Sequence, residues 1–440
     1  MKRTKKYQIV VGGGVAGILI SYILKIKGHN VLLLEKDFKL GGLLNSKQIN
    51  GRFYDHGTHL LRRTGIGFLD DFLFSGLDYY EYSYIKNGSF NKTLFDKNGF
   101  LSDFSLPKKT RLDCLNELIK NVHESDQKFK NLEEQLIASF GLGYYNELLK
   151  PVIKKLFFED PLNLVIDSHL LFGLSRIIVA ESSITDKLKK DVYLNQVIAY
   201  YSYSQGASKL TGLYPKNGGV EAWINLLETK IRKAGVEIEL ESEFHMELYN
   251  NEISNLSVNG RIYPVQNIYW TIPPIFLYHK IQLPKPFTKQ PQRLSSIIID
   301  MEYAGDLLTD LYYFQVFDPD FKSFRVTLYD NFDTFNDSGI KRITVEFLSK
   351  DDEIDLVYFS QCAKNEIQQM GIITDENKLL VVSAYTIKGG FPVPTAQFQN
   401  DSKQLIEGLN SISNLKLYGK ATGKKWFMHD ILFDIYNDLK

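Results

Sequence analysis

The stretch from Tyr7 to Glu35, YQIVVGGGVAGILISYILKIKGHNVLLLE, restricts what this chain can fold into more than any other. It opens on an apolar run, Ile9 to Val11, that reads as a buried strand. Gly12, Gly14 and Gly17 follow in the spacing G-x-G-x-x-G, and a helical pattern then runs through Ile18, Ser21, Tyr22, Leu24 and Lys25 until Gly28 stops it. A second apolar run, Val31 to Leu34, ends in Glu35, eighteen residues after Gly17. Strand, glycine turn, helix, strand and terminal acid make a βαβ unit of the dinucleotide-binding kind.

The glycines have separate duties. Gly12 permits the tight turn, Gly14 lets a pyrophosphate approach the backbone, and Gly17 lets the helix lie close on the strand. Val15 and Ala16 open the helix, whose first-turn N–H groups face the phosphates. A carboxylate at Glu35 accepts both hydroxyls of an adenosine ribose and repels a 2′-phosphate, which argues against NADP in this site.

The run after Glu35 reads KDFKLGG: Lys36, then Lys39, then the pair Gly41 and Gly42. Glycines there let the chain pass close over a cofactor, and Lys39 can offset phosphate charge. With the N-terminal unit, this resembles the two-part FAD signature of the amine oxidase, protoporphyrinogen oxidase and UDP-galactopyranose mutase superfamily. It departs at Leu43, where many members carry Arg. The resemblance implies FAD as cofactor, an α/β fold with a Rossmann-like FAD-binding domain assembled from separated segments, and an antiparallel-sheet substrate domain with a helical insertion.

Further segments extend the resemblance. Asp55-His56-Gly57-Thr58-His59 is similar to the family's glycine–x–histidine segment, so Gly57 and Thr58 would lie near the flavin. His59 faces flavin or substrate, or is a hydrogen-bonded structural histidine; the residues alone do not choose. Arg62 and Arg63 either bind an anionic substrate group or lie at the surface. Tyr214-Pro215-Lys216-Asn217-Gly218-Gly219 resembles the family's Y-P-x-x-G-G segment. Phe244 stands where relatives have a valine whose backbone holds the adenine. The C-terminal YGKATGKKWFMHD resembles the closing FAD motif: Gly419, Lys420 in place of the usual arginine, Trp426 and Phe427 as aromatics, and Asp430 as the acid capping a helix from Ile431 to Leu439. Lys meets phosphate as a point charge and lacks the bidentate fork. Arg325 stands where relatives often place a residue facing substrate; a solvent-facing strand arginine is the plainer alternative.

The expected organisation is an FAD-binding domain in three parts, residues 1–104, 206–285 and 376–440. A mainly helical insertion (105–205) and an antiparallel sheet (286–375) separate them. Asn50-Gly51 marks a hairpin turn, as does Asn87-Gly88. A helix is expected over Leu164 to Val179.

Acidic and basic residues balance at 52 each, so nothing suggests a nucleic-acid partner. The two cysteines, Cys114 and Cys362, lie far apart and show no metal spacing, which fits a reducing compartment without a structural disulfide or metal. The basic start, Lys2 to Lys6, followed by an apolar run imitates a signal peptide, but the glycine turn, Ser21, Lys25 and Lys27 interrupt it. A cytoplasmic protein without a transmembrane segment is expected, and oligomer formation is open.

Two enzyme readings follow from the resemblance. In the first, an FAD-dependent oxidoreductase transfers hydride between a small organic substrate and flavin N5, in polysaccharide or secondary biosynthesis, with a separate electron donor or acceptor. In the second, a mutase uses reduced flavin N5 as nucleophile on a nucleotide sugar; Arg62, Arg63, Arg176 and Arg325 are its candidates for holding a diphosphate. A non-catalytic flavoprotein module is the third reading. His59, Arg62 and Arg325 are the residues expected to act on substrate.

Overall fold

The computed structural model describes residues 5–120, 128–206, 211–283, 292–333, 339–422 and 427–440. The chain divides into two compact units, one from Met1–Tyr79, Pro215–Gln290 and Asn400–Lys440, the other from Tyr80–Tyr214 and Pro291–Gln399.

The first unit is Rossmann-like. The strand Tyr7–Val11 lies between Val31–Leu34 and Arg261–Trp270, parallel to both, and Glu237–Glu239 and Leu415–Leu417 extend the parallel sheet on either side. Strands Tyr7–Val11 and Val31–Leu34 are buried along their whole length, as their unbroken apolar runs require. The strand Arg261–Trp270 serves two sheets in turn. Arg261 to Pro264 pair antiparallel with Glu252–Val258, which pairs with Phe244–Tyr249; Val265 to Trp270 then join the parallel sheet. Helices Val15–Ile26, Gly219–Ala234 and Met428–Leu439 bury apolar faces in this unit.

The second unit is built on an antiparallel sheet. Its strand order is Lys378–Pro392, Arg293–Ala304, Ile340–Ser349, Ser323–Leu328, Tyr313–Val316, Asn87–Asn91 and Leu94–Asp96, with one parallel pair, Tyr313–Val316 on Asn87–Asn91. Alternate residues Ile297, Ile299, Met301, Ile343, Val345 and Phe347 pack with Ala363 and Ile367 of helix Leu356–Gln369. A helical block, including Leu132–Tyr144 and Lys150–Phe157, makes a separate apolar cluster in the same unit.

The units do not break at residues 104 and 375. Strands Asn87–Asn91 and Leu94–Asp96 complete the second sheet, and Lys378–Pro392 pairs along most of Arg293–Ala304, so both belong to the second unit. Three local expectations also change. The turn near residue 90 is at Lys92 and Thr93, both at positive φ, while Asn87 and Gly88 lie within a strand. The helix expected over Leu164 to Val179 is a short 3₁₀ turn, Ser168–Phe172, and a two-residue strand, Ile177–Ile178, because Asp167 and Gly173 take left-handed conformations at either end of the turn. The last helix begins at Met428, so Asp430 lies within its first turn and complements its dipole instead of capping it.

Candidate functional site

The site is built where the strand Tyr7–Val11 ends. Gly12 turns the chain at φ +106, and a Cβ there would lie 2.4 Å from Thr271 Oγ1. Thr271 is itself fixed by its N–H, 3.0 Å from the Val11 carbonyl, and by its hydroxyl, which donates to the same oxygen at 2.9 Å. A Cβ at Gly17 would fall 1.9 Å from the Gly12 carbonyl oxygen, so the helix touches the turn backbone to backbone. Gly14 differs: a Cβ there meets nothing within 4 Å, and its φ of −70 and ψ of 173 are open to any residue. Gly14 is the helix N-cap and offers no side-chain cap, and Val15 and Ala16 begin the first turn. The open space beside Gly14 and those amides fits an anion cradle.

The two halves of the sequence signature meet at Gly13. Its N–H donates to Glu35 Oε2 at 2.7 Å, and its carbonyl accepts from Gly41 N–H at 2.8 Å. Glu35 Oε1 accepts from Asp37 N–H at 3.0 Å. The carboxylate is buried, and lone pairs remain on it beyond these two contacts. Gly42, like Gly14, would direct a Cβ into open space. Lys36 is exposed. Lys39 Nζ sits 2.8 Å from Glu221 Oε1, tying the Gly41-Gly42 turn to helix Gly219–Ala234.

That helix start is capped from outside its own segment. Gly218 and Gly219 both have positive φ, and a Cβ at Gly219 would collide with Ser46 Oγ and Asp55 Oδ1. Asp55 Oδ1 accepts from Val220 N–H at 3.0 Å and from Ser46 Oγ–H at 2.7 Å, while Ser46 Oγ accepts from Glu221 N–H at 3.2 Å. Ser46 and Asp55 face each other in the hairpin Ser46–Ile49 and Arg52–Asp55, closed by Asn50-Gly51 as expected. The buried acid of Asp55-His56-Gly57-Thr58-His59 is thus a helix cap. Reading the motif for chemistry overlooked it, although Gly-Gly before a helix without a Ser, Thr, Asn or Asp cap is a signal for a tertiary one.

Asp55 leads directly into Gly57, at φ +98, and Thr58. His59 Nε2 lies 3.1 Å from the His56 carbonyl, which anchors its ring to the segment's own backbone. Burial, then the charge of Lys39, holds the His56 imidazole pKa below its usual value. Arg62 is exposed and Arg63 stacks 5.8 Å from the Phe74 ring centre. Phe244 is buried, and Ser242 beside it donates both its N–H and its hydroxyl to the Glu35 carbonyl at 2.9 Å, bringing this segment to Glu35.

The C-terminal segment returns to the first helix. Tyr418 N–H donates to the Trp270 carbonyl at 2.9 Å, and Gly419 follows at φ +62. A Cβ on Gly419 would touch Ala16 and Ile431 at 3.7 and 3.6 Å. Lys420 lies in the turn Gly419–Thr422. Trp426 falls outside the described residues.

Arg325 belongs to the second unit. It is partly buried, and its Nε and Nη2 donate to the two oxygens of Glu346 at 2.5 and 2.6 Å. Arg342, buried nearby in the same sheet, is likewise held by Asp333 at 2.9 Å.

Comparison with known proteins agrees with this geometry. Residues 10–72 match the family model described as an NAD(P)-binding Rossmann-like domain. The 4,4′-diaponeurosporene oxygenase of Staphylococcus aureus is 26% identical over 248 residues, covering 53% of this chain and 48% of the oxygenase. The chain thus spans about half the length of the curated relatives it matches. Among solved structures, reduced UDP-galactopyranose mutase superposes with a TM-score of 0.75 at 16% identity, over 95% of this chain and 89% of the mutase. A protein assigned as a protoporphyrinogen oxidase, from Exiguobacterium sp. 255-15, gives 0.70 at 15% identity over 99% and 98%. Putrescine oxidase gives 0.61 at 11% identity over 99% of each chain. The fold is therefore the one these three structures share.

Proposed function

We propose that this protein binds FAD and works as a flavin-dependent oxidoreductase on a small organic molecule. The observation that carries the reading is the contrast among the glycines. Gly12 and Gly17 are locked by close backbone and side-chain contact, whereas Gly14 faces open space at the start of a helix whose first-turn amides no side chain caps. A structural glycine turn needs the first kind; a cradle for a diphosphate needs the second.

On this reading the amides of Val15 and Ala16 donate to the pyrophosphate, and Glu35 accepts from the ribose hydroxyls while holding Gly13. Ser242 and Phe244 present backbone to the adenine. Gly57, Thr58 and His59 flank the ring system, Lys420 supplies a point charge, and the first-turn amides of Met428–Leu439 favour negative charge. When bound, the flavin supplies hydride acceptance and donation; the protein orients the substrate and excludes water. The relatives named above support an oxidoreductase, and the substrate and electron partner follow from none of them.

The mutase reading is supported by the likeness to UDP-galactopyranose mutase. It is weakened at Arg325, whose Nε and Nη2 are already paired with Glu346. Purified protein is expected to be yellow and to release FAD on denaturation. Anaerobic bleaching by an amine, porphyrinogen, polyene or sugar supports the oxidoreductase. Turnover of UDP-galactofuranose only after dithionite reduction would move the assignment to the mutase. Flavin without either activity across the panel would leave a non-catalytic flavoprotein, and protein that takes up no FAD would end the reading.

A further inference from the structure

The antiparallel sheet of the second unit ends on a long strand that solvent reaches. Lys378–Pro392 is fifteen residues long and stands last in the strand order. Its inner side pairs with Arg293–Ala304, and among the described residues no strand lies on its outer side. Arg293–Ala304 is buried over most of its length, whereas only Pro392 is buried in Lys378–Pro392, and Leu380 is 42% exposed.

An edge strand offers its backbone N–H and C=O groups to other chains, and charges, prolines and bulges ordinarily guard it. Here the guards stand at the two ends. The register against Arg293–Ala304 shifts at Leu380 and again across residues 388–390, where Lys388 and two glycines lie. Between these shifts residues 381–387, VVSAYTI, pair without a break with residues 296–302 and carry no charge, proline or glycine. The stretch is centred on Ala384, and its shape is nearly the same in either direction. Val381 matches Ile387 and Val382 matches Thr386, all four β-branched. Val382 and Ala384 lie at the margin of the apolar cluster that contains Ala363 and Ile367, so a strand added here would cover apolar surface.

We propose that this edge pairs antiparallel with the same edge of a second copy of the chain, about a two-fold axis at Ala384. A two-fold contact requires a surface that complements itself. On the axis a residue meets its own copy, and Ala384 puts the smallest side chain of the stretch there. Val381 then faces Ile387 of the second copy and Val382 faces Thr386 of the second copy, β-branched pairs that suit adjoining strands. No charge opposes another within the stretch, and the two seven-stranded sheets become one. A foreign strand would meet no such symmetry requirement, which is why the near-palindromic pattern favours a second copy. The pairing concerns the second unit and stands whether or not the first unit holds FAD.

The test uses the full-length protein as purified. Sedimentation velocity over a wide range of concentrations is expected to show twice the chain mass and no larger species, because the pairing uses up this edge. Val381→Lys should return the protein to a monomer with unchanged far-ultraviolet circular dichroism, since it sets a charge against Ile387 of the second copy. Adding Ile387→Glu to the same chain should restore the dimer, with each lysine opposite a glutamate. Ala384→Cys gives a second arm: mild oxidation should cross-link it across the axis, beyond any cross-link in the wild type, whose Cys114 and Cys362 are the control. The proposal fails if the protein is a monomer at the highest concentration that stays in solution, or if it assembles without limit. It fails equally if folded Val381→Lys remains a dimer, or if oxidised Ala384→Cys yields no more dimer than the wild type. A double variant that stays monomeric would overturn the axis at Ala384.

Discussion

Gly14 and Gly17 sit three positions apart and respond to a side chain in opposite ways. Gly14→Val should fold normally, since its backbone is extended and the space is open, yet purify without FAD; full flavin content in that variant would refute the cradle. Gly17→Ala should fail to fold or lose about 3 kcal/mol or more, because its methyl would enter the Gly12 carbonyl. Arg325 makes a third case. Replacing it with Met leaves Glu346 buried at 3% side-chain exposure without its partner, so a loss of about 3–5 kcal/mol is expected. The double variant Arg325→Met, Glu346→Gln should recover most of it in urea unfolding. A catalytic loss with unchanged stability would instead restore Arg325 to the substrate. Acidic groups add a pH dependence. Burial is the main cause that lifts the Asp96 carboxyl to about 7 and the Asp103 carboxyl to about 6. Each holds its proton more tightly in the folded state, so its contribution is complete below 3.8 and is lost as pH rises through 6 to 7. The Tm should fall over that window, and Asp96→Asn should flatten the fall; an unaltered slope would place its origin elsewhere. The turn at Gly12 and the close approach at Gly17 were legible because a G-x-G-x-x-G turn is local. The partners of Arg325 and Lys39 were not, because Glu346 and Glu221 reach them from other elements.

Elements show the same division between local and distant causes. The hairpin around Asn50-Gly51 forms where it was expected, since φ near +49 and +79 is what that dipeptide tolerates. Helix Gly219–Ala234 was also readable from its apolar spacing and from Gly235 after its end. Its cap was not readable, because Asp55 and Ser46 come from a hairpin more than 160 positions earlier. Asp55→Ala should cost about 1–2 kcal/mol by loss of the cap, measured by urea unfolding, with Asp55→Asn recovering most of it. Equal losses in both variants would show that charge, and not the accepted hydrogen bonds, is what matters. The apolar stretch from Leu164 to Val179 misled because its composition suits a helix, while Asp167 and Gly173 bend it out of one.

At the scale of the molecule, neither unit is continuous in sequence, and the central strand Tyr7–Val11 pairs with residues some 258 positions later. Such long-range parallel pairing should make refolding slow and populate intermediates. The C-terminal segment is integral to the first unit. A Cβ on Gly419 would lie 3.7 Å from Ala16, and helix Met428–Leu439 buries Ile431, Leu432, Ile435 and Leu439, each contributing on the order of 1.5–3 kcal/mol. A chain ending at Tyr418 should therefore lose FAD and melt early in its first unit. Normal flavin content in the truncated chain would show that the closing segment is dispensable.

The amino-acid order alone determined the βαβ unit, its glycine turn, the acid that ends it and the Asn50-Gly51 hairpin turn, because each depends on side chains within a few residues of one another. Its short motifs also pointed to the fold that the solved structures share. Only the tertiary structure decided where the units divide and what Lys39, Asp55 and Arg325 hold. Those outcomes depend on which distant segments pack together, and hydrogen bonds and ion pairs form after that packing has been settled.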